Sequence, residues 1–139
     1  MRLLAIDFGV KRIGTAVSDA LGLTTRPLET IRRSRTGKDI ARLKELVEEL
    51  DVEGVVIGMP LRMDGSIGEA AARVIEFARQ LKQEIPVPVY TQDERLTTWE
   101  AEQALAETGM TRGEKRERSD QFAAMIILRD FLSRPTTKT

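Results

Sequence analysis

Three acidic residues, Asp7, Glu94 and Asp120, stand where the segments of this chain begin or end, and the chain contains no histidine and no cysteine. The two absences exclude a histidine general base, a cysteine nucleophile, zinc sites built on nitrogen or sulfur, and every Ser-His-Asp arrangement. Carboxylates are then the groups left to carry chemistry. Hard oxygen ligands of that kind suit magnesium or manganese, and such an ion activates water without a histidine. A phosphodiester is the substrate this combination suggests first.

The elements that must position these acids read as mixed α/β. Leu3 to Asp7 and Ile13 to Ser18 are short apolar runs joined by a glycine-containing turn, as in a hairpin. A third strand is expected over Leu23 to Arg32, with Pro27 assigning it to an edge or a bulge because proline donates nothing to a ladder. From Asp39 to Leu50 the residues Ile40, Leu43, Val47 and Leu50 form one helical stripe, introduced by Thr36 with Asp39 three residues on. Gly54 to Gly58 reads as a buried strand, followed by a turn-rich loop from Met59 to Gly68. A helix over Glu69 to Gln83, a strand over Val87 to Thr91, a helix opened by Thr97 and stopped by Gly109, and a last helix from Ser119 to Ser133 complete the chain.

This order predicts a mixed five-stranded sheet, antiparallel in its first three strands and flanked by helices. Ligands of such sheets collect at the carboxyl ends of the strands. Asp7 ends the first strand, Asp93 and Glu94 follow the last, and Asp120 is expected to begin the final helix. Ala123, Ala124, Ile127 and Phe131 recur at helical spacing after Asp120, so that side packs on the sheet with the carboxylate looking back toward Asp7.

Composition bounds the class. A chain of 139 residues fits one domain, expected over 1–134 with a flexible tail at 135–139, and buries roughly two thirds of its unfolded surface. No apolar run approaches the ~20 residues of a membrane span, and Arg2 and Asp7 come too early for a secretory signal, so a cytoplasmic protein is expected. The 22 basic and 22 acidic residues cancel, which argues against coating nucleic acid through bulk charge. Their distribution is uneven. Arg32, Arg33, Arg35, Lys38, Arg42 and Lys44 face only Asp39 in the same stretch, and Arg112, Lys115, Arg116 and Arg118 precede Asp120. Solvated loop and helix faces account for either cluster alone; both gain meaning if they border the carboxylates. Aromatic residues make up only 4% of the chain, too few for a platform on which unpaired bases stack, so recognition through shape and phosphates is expected.

Four segments together resemble one family: the run from Asp7 through Gly14 to Asp19, the loop from Gly58 to Ser66, the stretch Asp93-Glu94-Arg95-Leu96-Thr97-Thr98, and Asp120-Gln121-Phe122-Ala123-Ala124. In this order they resemble the YqgF family, across essentially the whole chain; Met59 stands where members often carry another aliphatic residue. The resemblance implies a ribonuclease-H-like fold, kinship with Holliday-junction resolvases, and a nuclease that trims the 5′ end of precursor 16S ribosomal RNA. Its acidic active-site positions fall on Asp7, Glu94 and Asp120. Converging carboxylates repel one another unless cations occupy the gap, so magnesium or manganese, in two ions roughly 3.5–4 Å apart, is expected among them. Lys11, Arg12 and Arg95, close in sequence to these acids, are candidates to hold flanking phosphates. Precursor 16S RNA is the expected partner and branched DNA the alternative, with a monomer or a homodimer left open.

Each acid has a plainer reading. Asp7 would close the Phe8-Gly9 turn, Asp120 would sit favourably at a helix start, and Glu94 would be an exposed loop carboxylate. Two other functions also stay open: a non-catalytic nucleic-acid-binding module, and a phosphate loop of the actin-like and sugar-kinase type, which requires a second domain for which this chain has no residues.

Overall fold

The structure, a computed structural model, describes residues 1–94 and 112–133. The helix expected from Thr97 to Gly109, Arg95 and the expected tail lie outside the described residues. Among these residues are six strands, β1 (Leu3–Phe8), β2 (Arg12–Ser18), β3 (Thr25–Pro27), β4 (Ile31–Arg32), β5 (Gly54–Met59) and β6 (Val89–Asp93), with helix α1 (Lys38–Glu49) before β5, α2 (Glu69–Glu84) before β6 and α3 (Arg112–Leu132) after it. The sheet runs β3-β2-β1-β5-β6, with β4 also on β2. β1 is antiparallel to β2 and parallel to β5, and β6 is parallel to β5. This is the mixed sheet expected from the order of elements.

The expected third strand is broken in two. Ala16 pairs with Pro27 while Ile13 pairs with Ile31, so two residues of β2 oppose three of the edge, Leu28 to Thr30. That extra residue is a β-bulge at a sheet edge, where proline is tolerated. Side chains hold it: the buried Thr15 hydroxyl donates to the Glu29 carbonyl, and the Gln121 amide of α3 donates to the Leu28 carbonyl at 2.9 Å.

Three further expectations are corrected. Thr36 does not cap α1; Gly37 does, at φ 81° and without a side-chain bond, because glycine enters the left-handed region at little cost. Asp39 instead accepts from the Ser34 amide at 3.2 Å. The last helix begins at Arg112, not Ser119; the preceding arginines, glutamates and lysine are good helix formers that carry no apolar stripe to mark them. β6 lies about one turn of the pleat later than expected, so Asp93 ends the strand instead of following it.

Alternation along the strands divides the core. Leu4, Ile6, Ile13, Val17, Val55 and Ile57 point to one face and pack on Leu43 and Val47 of α1 and Val74, Phe77 and Leu81 of α2. Leu3, Ala5, Ala16 and Val56 point to the other and pack on Ala124, Ile127 and Leu128 of α3. By the same period of two, Asp7, Arg12, Gly14 and Gly58 belong to the α3 face.

Candidate active site

Asp7 is flanked by glycine on both sides. Gly14 of β2 is its registered partner, and Gly58 of β5 follows Ile57, the partner of Ile6. A Cβ on Gly14 would collide with the backbone carbonyl of Asp120, whereas one on Gly58 would lie 2.5 Å from the Glu94 carboxyl carbon and 2.5 Å from Ile127 Cδ1. The missing side chains are therefore the space through which α3 and Glu94 reach Asp7. All three acids line one cavity of 230 Å³, with Gly9, Val10, Arg73 and Ala123 among its walls.

None of the plainer readings of the acids survives. The turn after β1 is closed by the Gly9 amide donating to the Arg12 carbonyl at 2.9 Å, not by Asp7. Glu94 is only 8% exposed, and its amide prolongs the sheet by donating to the Met59 carbonyl at 3.1 Å. Asp120 lies in the interior of α3, well past its start, so the dipole at a helix N-terminus does not explain it.

Burial and mutual repulsion dominate the electrostatics. Loss of water, and then the charge of Asp120, push Asp7 up to about 6. Loss of water, and then the charge and hydrogen bond of Asp7, push Glu94 up to about 9. Each carboxyl makes the other harder to ionise, as adjacent buried acids do when no cation separates them. Glu94 Oε2 is buried and has no hydrogen-bond partner. A buried oxygen of this kind is costly to leave unmatched, and it is a ready ligand for a hard cation.

Asp120 is turned differently. Its Oδ2 accepts from Arg12 Nε at 2.7 Å, which ties the third acid to the cavity rim. Among the described residues no three acidic side chains are gathered closely enough to hold one metal ion as they stand. The structure thus brings Asp7 and Glu94 together, sets Asp120 beside them, and gives Arg12 an acid partner. Lys11 lines not this cavity but an adjoining cleft with Arg32, Arg33 and Arg35. Asp19 and Asp64, which lay outside the expected site, serve turns: Asp19 accepts from the Leu23 amide and Asp64 from the Ser66 amide. Sequence reasoning missed Arg73, which sits on a solvated-looking stretch of α2 four residues from its partner Glu69, and it missed the paired glycines, whose meaning depends on register.

The model of a family described as RuvX, Holliday junction resolvase, matches residues 1–134. The chain belongs to this family. The membership agrees with the YqgF resemblance and makes the protein a nuclease, a hydrolase. A relative from Moorella thermoacetica, named as a pre-16S rRNA nuclease, is 46% identical over 134 residues, covering 96% of each chain. A Clostridium acetobutylicum relative of the same name is 43% identical over 133 residues, 96% of this chain and 98% of its own. Among solved structures, Thermus thermophilus RuvC bound to a Holliday junction superposes with a TM-score of 0.57 at 20% identity, over 96% of this chain and 97% of its own. The fowlpox virus Holliday junction resolvase does so with a TM-score of 0.55 at 13% identity, over 95% and 98%. At such identities these likenesses speak for the fold, which is ribonuclease-H-like. Among the described residues no helix is long and apolar enough to cross a membrane.

Proposed function

We propose that this member of the RuvX family hydrolyses phosphodiester bonds of structured nucleic acid, with the 5′ region of precursor 16S ribosomal RNA as its substrate, and that Asp7, Glu94 and Asp120 carry the reaction. The supporting observation is the buried Asp7–Glu94 pair with its unmatched Glu94 Oε2, in the cavity that Asp120 also lines. The oxygen-only donor set and the repulsion within it fit magnesium or manganese, and two ions are the arrangement three carboxylates of this kind would serve. Bound there, such ions supply an activated water and stabilise charge on the leaving oxygen.

The chain's own residues have separate tasks. Asp7 and Glu94 would hold a cation through their carboxylate oxygens, and its charge would offset the repulsion that raises both groups. Arg12 holds Asp120 at the rim and keeps guanidinium N–H groups beyond Nε to offer a phosphate oxygen. Arg73 lines the same cavity with a half-exposed guanidinium that pairs with Glu69 at 3.5 Å. Lys11 and Arg95 complete the phosphate-holding set, Lys11 from the adjoining cleft and Arg95 next to Glu94 in sequence. Residues 1–134 act as one nuclease domain.

The family description favours one second reading, a resolvase acting on branched DNA; symmetric cutting of both strands would then require a homodimer. Cleavage of a precursor 16S RNA carrying its 5′ leader, and of a four-way DNA junction, is measured with magnesium or manganese for wild type and Asp7→Asn. RNA cut by the wild type and spared by the variant, with a rate loss of roughly a thousandfold or more, is the expected result. Selective junction cutting would move the substrate to DNA. Cleavage by Asp7→Asn at the wild-type rate would sink the assignment of the site.

A further inference from the structure

Arg12 and Arg32 oppose one another directly across the β2–β4 ladder. Opposed residues of an antiparallel pair share a face, and like charges placed so destabilise the sheet. Asp120 neutralises Arg12; among the described residues no acid pairs with Arg32. The uncompensated charge belongs to a cleft of 570 Å³ lined by Val10, Lys11, Arg32, Arg33, Ser34 and Arg35, four cations and no acid. Acids are available nearby: Arg42, from the same basic run, is bound by Glu29, Glu45 and Glu49. They serve α1 and leave the cleft positive.

The cleft is also built to keep its shape. The Arg33 guanidinium lies 4.2 Å above the Phe8 ring, its Nη1 donates to the Val10 carbonyl at 3.1 Å, and its amide donates to the Lys11 carbonyl at 3.0 Å. Phe8 in turn stacks on Phe77 at 4.2 Å. Val10, 69% exposed, lines both this cleft and the carboxylate cavity, so the two are adjoining stretches of one surface. A single phosphate would leave most of the four cations unmatched, whereas a phosphodiester chain presents a negative charge at every residue.

We propose that the cleft of Lys11, Arg32, Arg33 and Arg35 is a second binding track, which grips the phosphodiester backbone of the substrate strand where it continues past Val10 from the bond to be cut. The inference rests on the nuclease reading above, and it assigns the track to affinity, not to the chemical step. The ligand is the sugar-phosphate backbone, so contact is independent of base sequence and weakens with salt.

The test uses the full chain carrying Arg32→Gln with Arg35→Gln, and separately Arg32→Lys with Arg35→Lys. Binding of a labelled precursor 16S leader RNA and of a four-way DNA junction is titrated at several salt concentrations in EDTA, and cleavage is followed in magnesium. The glutamine pair is expected to raise Kd and KM at least roughly tenfold, to flatten the dependence of log Kd on log salt by about two contacts, and to leave the loss on KM instead of kcat. The lysine pair keeps the salt slope. Arg32→Gln alone is expected to match or exceed the wild-type Tm, since it relieves the opposition to Arg12, so weaker binding is not explained by unfolding. Loss on RNA alone, or on both probes, tells which backbone the track fits. A wild type that cuts its substrate while the glutamine pair binds with unaltered Kd and slope overturns the track and spares the nuclease reading; a wild type that neither binds nor cuts either probe overturns both.

Discussion

The two faces of the sheet solve different problems. On the α1/α2 face the strands present Leu4, Ile6, Ile13, Val55 and Ile57, and the helices answer with Leu43, Phe77 and Leu81; large side chains fill the layer and hold the layers apart. On the α3 face Leu3 and Val56 meet Ile127 and Leu128, but the positions around Asp7 are small, Ala5, Ala16, Gly14 and Gly58, with Ala123 and Ala124 on the helix. Small residues let a helix approach closely, at the cost of buried apolar area. That approach brings the Asp120 turn over Gly14 and the Glu94 carboxyl over Gly58. One face contributes volume and stability, and the other gives up volume to bring mutually repelling groups together. The site is a strained region carried by a sound one.

Neighbouring residues of β5 put the contrast to its strongest test. Ile57, buried in the α1/α2 face, and Gly58, beneath Glu94, differ by one position and point oppositely. Ile57→Ala is expected to cost about 2–5 kcal/mol through the cavity it leaves, while the folded fraction keeps a kcat near that of the wild type. Gly58→Ala is expected to cost less, about 1–3 kcal/mol, because its new Cβ meets the ends of the Glu94 and Ile127 side chains instead of backbone. Its cleavage rate should nevertheless fall at least a hundredfold or so, since a displacement near 1 Å is enough. Denaturant melts paired with single-turnover cleavage separate the two; Gly58→Ala with full activity would end the functional distinction between the faces.

The next test is electrostatic and concerns the α3 face alone. The ordinary values of Asp7 and Glu94 are 3.8 and 4.5, and the folded values are about 6 and about 9. Both are raised, so between these limits the folded chain holds more protons than the unfolded one, and the free energy of unfolding falls as pH rises. The pair's contribution is whole below about pH 4 and is lost on the way to about pH 9. Asp19, Glu29 and Glu76, whose partners hold them below their ordinary values, act in acid and leave the window above pH 5 clear. In EDTA the Tm should therefore drop by several degrees from pH 5 to pH 9, and Glu94→Gln should flatten the slope. Magnesium should raise the Tm more at pH 8 than at pH 6, because its ligands must shed a proton. Calorimetry in EDTA with a Tm that climbs through this range would mean that the pair is not strained.

Much of this division was legible beforehand. Periods of two and 3.6 reveal the hairpin, the Leu43–Val47 stripe and the Ala123, Ala124, Ile127 seam, and Asp7 falls at the end of an apolar run. Other features had no local signal. The first turns of α3 lack apolar residues, so a helix from Arg112 leaves no stripe to find. The bulge at Leu28 depends on Gln121, 93 residues away, and the partner of Arg12 is 108 residues away. Gly14 lies unmarked inside one expected strand and Gly58 at the end of another until register sets them on either side of Asp7. The basic run from Arg32 to Lys44 is uniform as text, and only the fold ties Arg42 to acids while turning Arg32 and Arg35 into a cleft.

The smallest expected effect sharpens the boundary between the site and its rim. Arg12 and Asp120 are 37% and 20% exposed and meet at 2.7 Å, a geometry in which solvent screening keeps the pair's contribution under about 1 kcal/mol. Arg12→Gln also removes the like charge opposite Arg32, so the net change in stability should be close to zero. The consequence lies in cation binding. With Arg12 gone, the negative charge of Asp120, which already raises Asp7, is no longer offset beside the cavity, and isothermal titration should find magnesium bound a few-fold more tightly while nucleic acid binds a few-fold more weakly. Were Arg12 only a brace for α3, the variant would lose stability and leave magnesium affinity untouched. Opposite shifts in the two affinities at constant Tm would place this arginine where the carboxylate cavity gives way to the surface that meets the phosphate chain.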